Sequence, residues 1–205
     1  MKLSESEIDA LREVGNVGIG NATTALSKIL NKKIDINIPE TRFVPLESFA
    51  EELGGPERIV NSLYLDFDGD VKGECIFAFP EKSALKLSDL ILGRDAGTAK
   101  EMGEEESSAF MEMSNIFVGS YLSSLANMCE LKIFPAVPNM ACDMIQAVID
   151  VLLINLAKHA DSMLMVKAKI SLEGHNIDGD FLLVFEEESL IKLLKILEEK
   201  YGLVR

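Results

Sequence analysis

The sequence predicts an α+β fold in which two related halves each supply a long helix and a set of antiparallel strands. Two stretches carry apolar residues at helical spacing, and the segments after each are rich in alternation and in β-branched or aromatic residues. A third observation joins them. The pattern Asp9-x-x-x-Glu13-x-x-Asn16, followed by Pro39, returns as Ser108-x-x-x-Glu112-x-x-Asn115, followed by Pro138, with all four separations equal to 99 residues. A duplicated chain keeps its apolar positions for the core, so polar side chains kept in register need a separate explanation.

Ser4 with Glu7 three residues later has the form of a capping box. From there Ile8, Leu11, Gly15, Gly18, Ala22, Ala25 and Ile29 recur at helical spacing, which predicts a helix to about Leu30. Strands are expected over Lys33 to Val44, Ser62 to Phe67 and Val71 to Phe79, with Asp68-Gly69 as the hairpin turn between the last two. Pro80 opens a helix over Glu81 to Leu92 that Gly93 ends, and Arg94 to Gly103 reads as a linker. The second half repeats the order: a helix from about Glu104 to Cys129, an extended piece through Pro135 and Pro138, two strands, and a helix from Ser189 to Lys200. Late in the chain the offset changes, since Gly73-Glu74 matches Gly179-Asp180 and Phe79 matches Phe185 at 106 residues. The second copy therefore gains seven residues, and the apolar segment Asp143 to His159, matched only weakly by Glu47 to Gly54, is the place for them. A helix apolar on nearly all sides is usually buried in the core, with a partner surface as the alternative.

At 205 residues the chain fits one large or two small domains, and the duplication favours a single domain over 1–205 built from repeats of about 1–95 and 104–205. A net charge of −14 disfavours binding to nucleic acid or to anionic lipid heads. Cys75, Cys129 and Cys142 have no C-x-x-C spacing and read as three buried thiols rather than a disulfide framework or a zinc site. The N-terminus lacks the apolar stretch of a secretory signal, and Met144 to Ala157, broken by Gln146, Asp150 and Asn155, falls short of the roughly 20 residues of a membrane span. A cytoplasmic protein without membrane insertion is expected.

At about 100° per residue, Asp9, Glu13 and Asn16 lie within roughly 60° of one another, nearly opposite Ile8, Leu11, Gly15, Gly18 and Ala22. Ser108, Glu112 and Asn115 stand the same way against Phe110, Met113, Phe117 and Tyr121. Both triplets should face solvent or a partner. A solvated helix face is the plain alternative, but asparagine is mildly unfavourable inside an exposed helix, and two at matched sites weaken that account. A carboxamide can accept from and donate to one water and so fix it in line with an electrophile. A carboxylate one turn away can hold a cation on whatever docks. No obvious nucleophile with its own base is present, since His159 and His175 lie far from either motif in sequence.

The pattern [Asp/Ser]-x-x-x-Glu-x-x-Asn, then twenty-two residues, then Pro, resembles the signature of the CheC/CheX/FliY phosphatases of chemotaxis, and it occurs here twice without departure. The near full-length duplication is similar to the CheC branch of that family. The resemblance implies a substrate, the phosphorylated aspartate of the response regulator CheY. It implies that Asn16 and Asn115 orient the attacking water, that Glu13 and Glu112 pair with a lysine of the regulator, and that Asp9 and Ser108 are supportive. No metal or cofactor of its own is implied, because the regulator holds the Mg2+. The implied fold is a layer of antiparallel strands with the two motif helices side by side on one face, related by a pseudo-twofold axis. The resemblance also implies binding of the receptor deamidase CheD through the segment after the second signature proline, with Asp143 and the apolar helix that follows it as the contact. A non-catalytic binding module that regulates CheD is the alternative function. A flagellar switch component is less expected, because no further segment follows Arg205.

Two other patterns are expected to carry no ligand. Gly15-x-x-Gly18-x-Gly20 lies inside a helix and follows no strand, so close helix packing is its reading. Asp66, Asp68 and Asp70 alternate as in a calcium loop, but Val71 and Phe77 stand where the loop needs glycine and glutamate.

Overall fold

The computed structural model describes residues 4–45, 48–156, 162–172 and 174–202. Helix α1 (Glu5–Leu30) begins on the expected capping box, in which the Ser4 hydroxyl accepts from the Glu7 N–H at 3.3 Å and the Glu7 carboxylate accepts from the Ser4 N–H at 2.7 Å. Strand β1 (Ile34–Pro45) and the single turn α2 (Phe49–Glu52) follow, then β2 (Ile59–Gly69), β3 (Gly73–Pro80) and α3 (Glu81–Ile91). The second half runs through α4 (Glu104–Cys129), β4 (Ile133–Pro135), β5 (Asn139–Met144), α5 (Ile145–Leu156), β6 (Ser162–Leu172), β7 (His175–Phe185) and α6 (Glu187–Tyr201). Helices α1 and α4 are both 26 residues long and start 99 residues apart.

All strand pairs are antiparallel, in the order β1-β6-β7-β3-β2-β4, with β5 also paired to β2. The halves exchange strands. The first strand of each half lies against the second strand of the other, β1 on β6 and the pair β4 and β5 on β2, while β3 and β7 meet in the middle. The β2–β3 reversal falls two residues later than Asp68-Gly69 predicts, because Asp68 and Gly69 pair with Phe134 and Ile133 of β4 and so extend β2. A Cβ on Gly69, at φ +117, would stand 2.3 Å from the Lys132 carbonyl oxygen, so only glycine permits this approach.

Strand β3 is buried along Gly73 to Phe79 because the sheet is covered on both faces. On one face Leu63, Phe77, Phe79 and Phe181 pack beneath α1, α3, α4 and α6, with the Phe77 ring stacked on Phe117 at a centroid distance of 4.4 Å. On the other, Val60, Ile76, Leu182 and Val184 pack against Phe49 and Leu53 of α2 and its neighbour turn, and against Ile145, Val148 and Ile149 of α5. The apolar α5 therefore buries its described N-terminal part in the core. Its 12 residues against the four of α2 place the length asymmetry between the halves at these two helices.

Candidate functional site on the paired motif helices

The large α1–α4 interface is set by small residues on α1. A Cβ on Gly18 would fall 2.7 Å from the ring of Tyr121, and Gly15 lies 3.8 Å, from the same reference point, from its hydroxyl. The Asn21 amide adds a tie by donating to the Ser124 hydroxyl at 2.7 Å. Gly15 and Gly18 thus serve helix packing, as the sequence predicts, whereas Gly20 and Gly119 have no neighbour among the described residues within 4 Å of such a Cβ. Ile29, placed on the apolar stripe by its spacing, is instead 59 % exposed and lines an open groove across both helices.

With Leu11, Val14, Gly15 and Gly18 buried on α1, and Phe110, Met113, Phe117 and Tyr121 on α4, the opposite helical faces are outward. Asp9, Glu13 and Asn16 are exposed, and so are Ser108, Glu112 and Asn115. Asn16 and Asn115 are each the twelfth residue of a 26-residue helix. Asp9 makes an exposed ion pair with Arg12 at 2.6 Å. The groove takes in Asn115 together with Asn21, Gly119, Ser123 and Asn127, and Asn16 is not among its walls.

The two prolines lie off the motif helices, Pro39 within a strand and Pro138 between two. Pro39 falls where the β1–β6 register shifts between Asn37 and Glu40, and Pro138 lies in the gap between β4 and β5. Residues 34–45 and 133–144 are 99 apart throughout, so both prolines dislocate equivalent strands, as a residue without an N–H to give the ladder does. Asp143 is exposed on β5, and its carboxylate accepts from the N–H of Met144 at 2.7 Å. Phe134, Val137 and Met144 are exposed along the same edge.

Cys75 and Cys129 are buried as expected, and burial pushes the Cys129 thiol up to about 11. Cys142 is exposed, a correction that follows from its place on β5, which among the described residues pairs only with β2. Asp70 accepts from the Lys132 N–H at 2.8 Å and from Lys192 at 3.3 Å, contacts that hold its carboxyl below the usual range and give it a structural role. Among the described residues, no cluster of three His, Cys, Asp or Glu side chains has metal-binding proximity. No described helix is long and apolar enough to cross a membrane. His175 is exposed at the start of β7, and His159 lies outside the described residues.

The segment 94–103, expected as the linker, is tied to both helices that it joins. The fully buried Asp89 carboxylate accepts from the N–H groups of Gly97 at 2.9 Å, Thr98 at 2.8 Å and Ala99 at 3.1 Å. Arg94 pairs with Glu105 and, at 2.5 Å, with Glu106 in the first turn of α4. Sequence reasoning missed both residues, and the only available signal was an acidic residue at a helix end followed by Gly93 and Gly97.

Residues 7–41 match the model of the CheC-like family, and residues 62–143 match that of the chemotaxis phosphatase CheX. The CheY-P phosphatase CheC of Bacillus subtilis is 33% identical over 175 residues, covering 84% of each chain. The chain belongs to the CheC family of chemotaxis phosphatases. Another relative within this group, the flagellar motor switch phosphatase FliY of Bacillus subtilis, is 32% identical over 132 residues, which are 64% of this chain and 34% of FliY. The crystal structure of Thermotoga maritima FliY superposes with a TM-score of 0.80 at 21% identity, covering 98% of this chain and 100% of that one, so the CheC-family chain shares its α+β fold.

Proposed function

We propose that this chemotaxis phosphatase hydrolyses the aspartyl phosphate of phosphorylated CheY at two sites, one on each motif helix. The observation that carries this reading is the equivalent, exposed placement of Glu13 with Asn16 and Glu112 with Asn115 on two helices whose opposite faces are fixed in the core. The named relative that acts on CheY-P supports the choice of substrate. Each asparagine carboxamide holds one water, accepting from it and donating to it, in line with the phosphorus. A bond forms from the water oxygen to phosphorus as the bond to the aspartyl oxygen breaks, releasing phosphate and restoring the carboxylate. Glu13 and Glu112, one turn away, pair with a cationic side chain of the docked regulator. Asp9 and Ser108 support the same surface, Asp9 by holding Arg12 beside it. The Mg2+ is the regulator's and no cofactor of the phosphatase is needed, because phosphoryl transfer is mostly geometry and charge stabilisation. The site of action is the cytoplasm, where the regulator works.

The direct test is the decay of phosphorylated CheY with and without this protein. A faster decay that weakens when Glu13 and Glu112 are both changed to Lys is the expected result; decay at the regulator's own rate sinks the proposal.

A second reading concerns CheD. The exposed Asp143, beside exposed Met144 and near Val137 on the β4–β5 edge, supports a contact there. Asp143→Lys should abolish co-elution with CheD while phosphatase activity persists. Undiminished association would remove Asp143 from the contact, and CheD binding without any phosphatase activity would favour a purely regulatory module.

A further inference from the structure

We propose that Asp89 and Arg94 are positioning residues for the second site, fixing the start of α4 so that Glu112 and Asn115 meet the docked regulator in register. This rests on the phosphatase reading above. The two motif helices begin differently. Helix α1 is capped by its own Ser4 and Glu7. Helix α4 has at its N-cap Gly103, which has no side chain to cap with, and beyond the N–H groups that the Glu106 carboxyl takes, its first turn is held by α3 and the segment that follows it.

The parts form one hydrogen-bonded body. A buried carboxylate is costly unless its lone pairs are used, and three successive N–H groups of the 97–99 turn use those of Asp89. The Arg94 N–H donates to the Asp89 carbonyl at 2.8 Å, which turns its side chain onto Glu105 and Glu106. The Ser88 hydroxyl donates to the Glu106 carbonyl at 3.0 Å, so α3 also touches the α4 backbone directly. Ser108 follows this anchored turn, and Glu112 and Asn115 follow within the next two turns of the same helix. A change in the helix start therefore reaches the reacting groups of the second site along their own helix, and those of the first only across the α1–α4 packing. Asparagine at 89 can keep its oxygen on the Gly97 and Thr98 N–H groups but removes the charge and turns an NH2 toward Ala99, which loosens the clamp, whereas Arg94→Gln removes only the ion pairs.

The test isolates each site by silencing the other. Asp89→Asn and Arg94→Gln are each placed in an Asn16→Ala background, where the second site alone acts, and in an Asn115→Ala background, where the first alone acts. CheY-P hydrolysis is measured as kcat and KM, together with amide hydrogen exchange over residues 5–13 and 104–112. With Asn16→Ala, Asp89→Asn should lower kcat roughly tenfold, less than the ~10²-fold that a misplacement of about 1 Å costs. Arg94→Gln should give a smaller fall. With Asn115→Ala, neither should change kcat by as much as twofold, and exchange should quicken over 104–112 but not 5–13. Equal losses in both backgrounds, as general destabilisation gives, overturn the proposal, and so does faster exchange at 104–112 with unchanged kcat. Should the Asn16→Ala, Asn115→Ala double variant hydrolyse like the unmodified protein, the water-positioning reading fails, and the exchange data alone then decide whether Asp89 orders α4.

Discussion

Helices α1 and α4 have the same length and carry Glu and Asn at the same positions, yet they are held in place by different means. The start of α1 depends on hydrogen bonds within four residues, while that of α4 depends also on Asp89, Arg94 and Ser88 of the preceding helix and turn. Their mutual packing is also uneven. Tyr121 lies over Gly18, whereas the residues 99 positions away from this pair are Ala22 and Phe117. The difference teaches that the outward chemistry of the repeat is duplicated while its supports are not, so the two sites need not respond alike to the same disturbance.

The comparison is broken most severely at Gly18. Its substitution by Ala pushes a methyl into the buried Tyr121 ring, and the expected cost is about 1–3 kcal/mol in chemical unfolding, as for other overpacked cores. Tyr121→Leu should recover part of that loss; no destabilisation by Gly18→Ala would mean the helices can part freely. Next in size is Ser4→Ala, which removes the α1 cap and should cost about 1 kcal/mol while leaving exchange over 104–112 unchanged. Gly20→Ala and Gly119→Ala lie in open space inside the helices and should each stabilise by about 0.5–1 kcal/mol, opposite in sign to Gly18→Ala. A loss of stability at either would show that the α1–α4 contact extends further along the pair.

The smallest expected effect is a pH response confined to α4. Its own backbone N–H and then the Arg94 guanidinium hold the Glu106 carboxyl below the usual glutamate range. A depressed carboxyl contributes support that is present above its unfolded pKa and is lost as pH falls through the folded one. Protection of the amides over 104–110, taken relative to their intrinsic exchange rates, should therefore fall on acidification below the ordinary glutamate range. A profile over those amides that follows only the intrinsic pH dependence of exchange would count against the Arg94–Glu106 contact.

Much of this comparison was legible in the sequence, because it rests on local rules. Both long helices follow from apolar spacing, the start of α1 from Ser4 and Glu7, and the outward faces of both triplets from helical geometry. The extra length of α5 relative to α2 follows from the shift in offset between the halves. What could not be read depends on contacts between distant residues. Neither β1 nor β6 carries a sign that it pairs with the other, and the late β2–β3 turn depends on β4 lying against Gly69. The exposure of Cys142 depends on β5 being an edge strand, and that of Ile29 on the groove across the helix pair. The Asp89 clamp escaped for the same reason, since a carboxylate at a helix end identifies no partner until the following turn is seen to fold back on it.

The central claim, that two asparagines on equivalent helices each position a hydrolytic water, is tested most directly by the decay of phosphorylated CheY with Asn16→Ala, Asn115→Ala and the double variant. Each single variant should keep the activity of its remaining site, and the double variant should lose roughly 10²-fold or more, the scale of removing a positioned polar group, while still binding the regulator. Hydrolysis by the double variant at the rate of the unmodified protein would contradict the account.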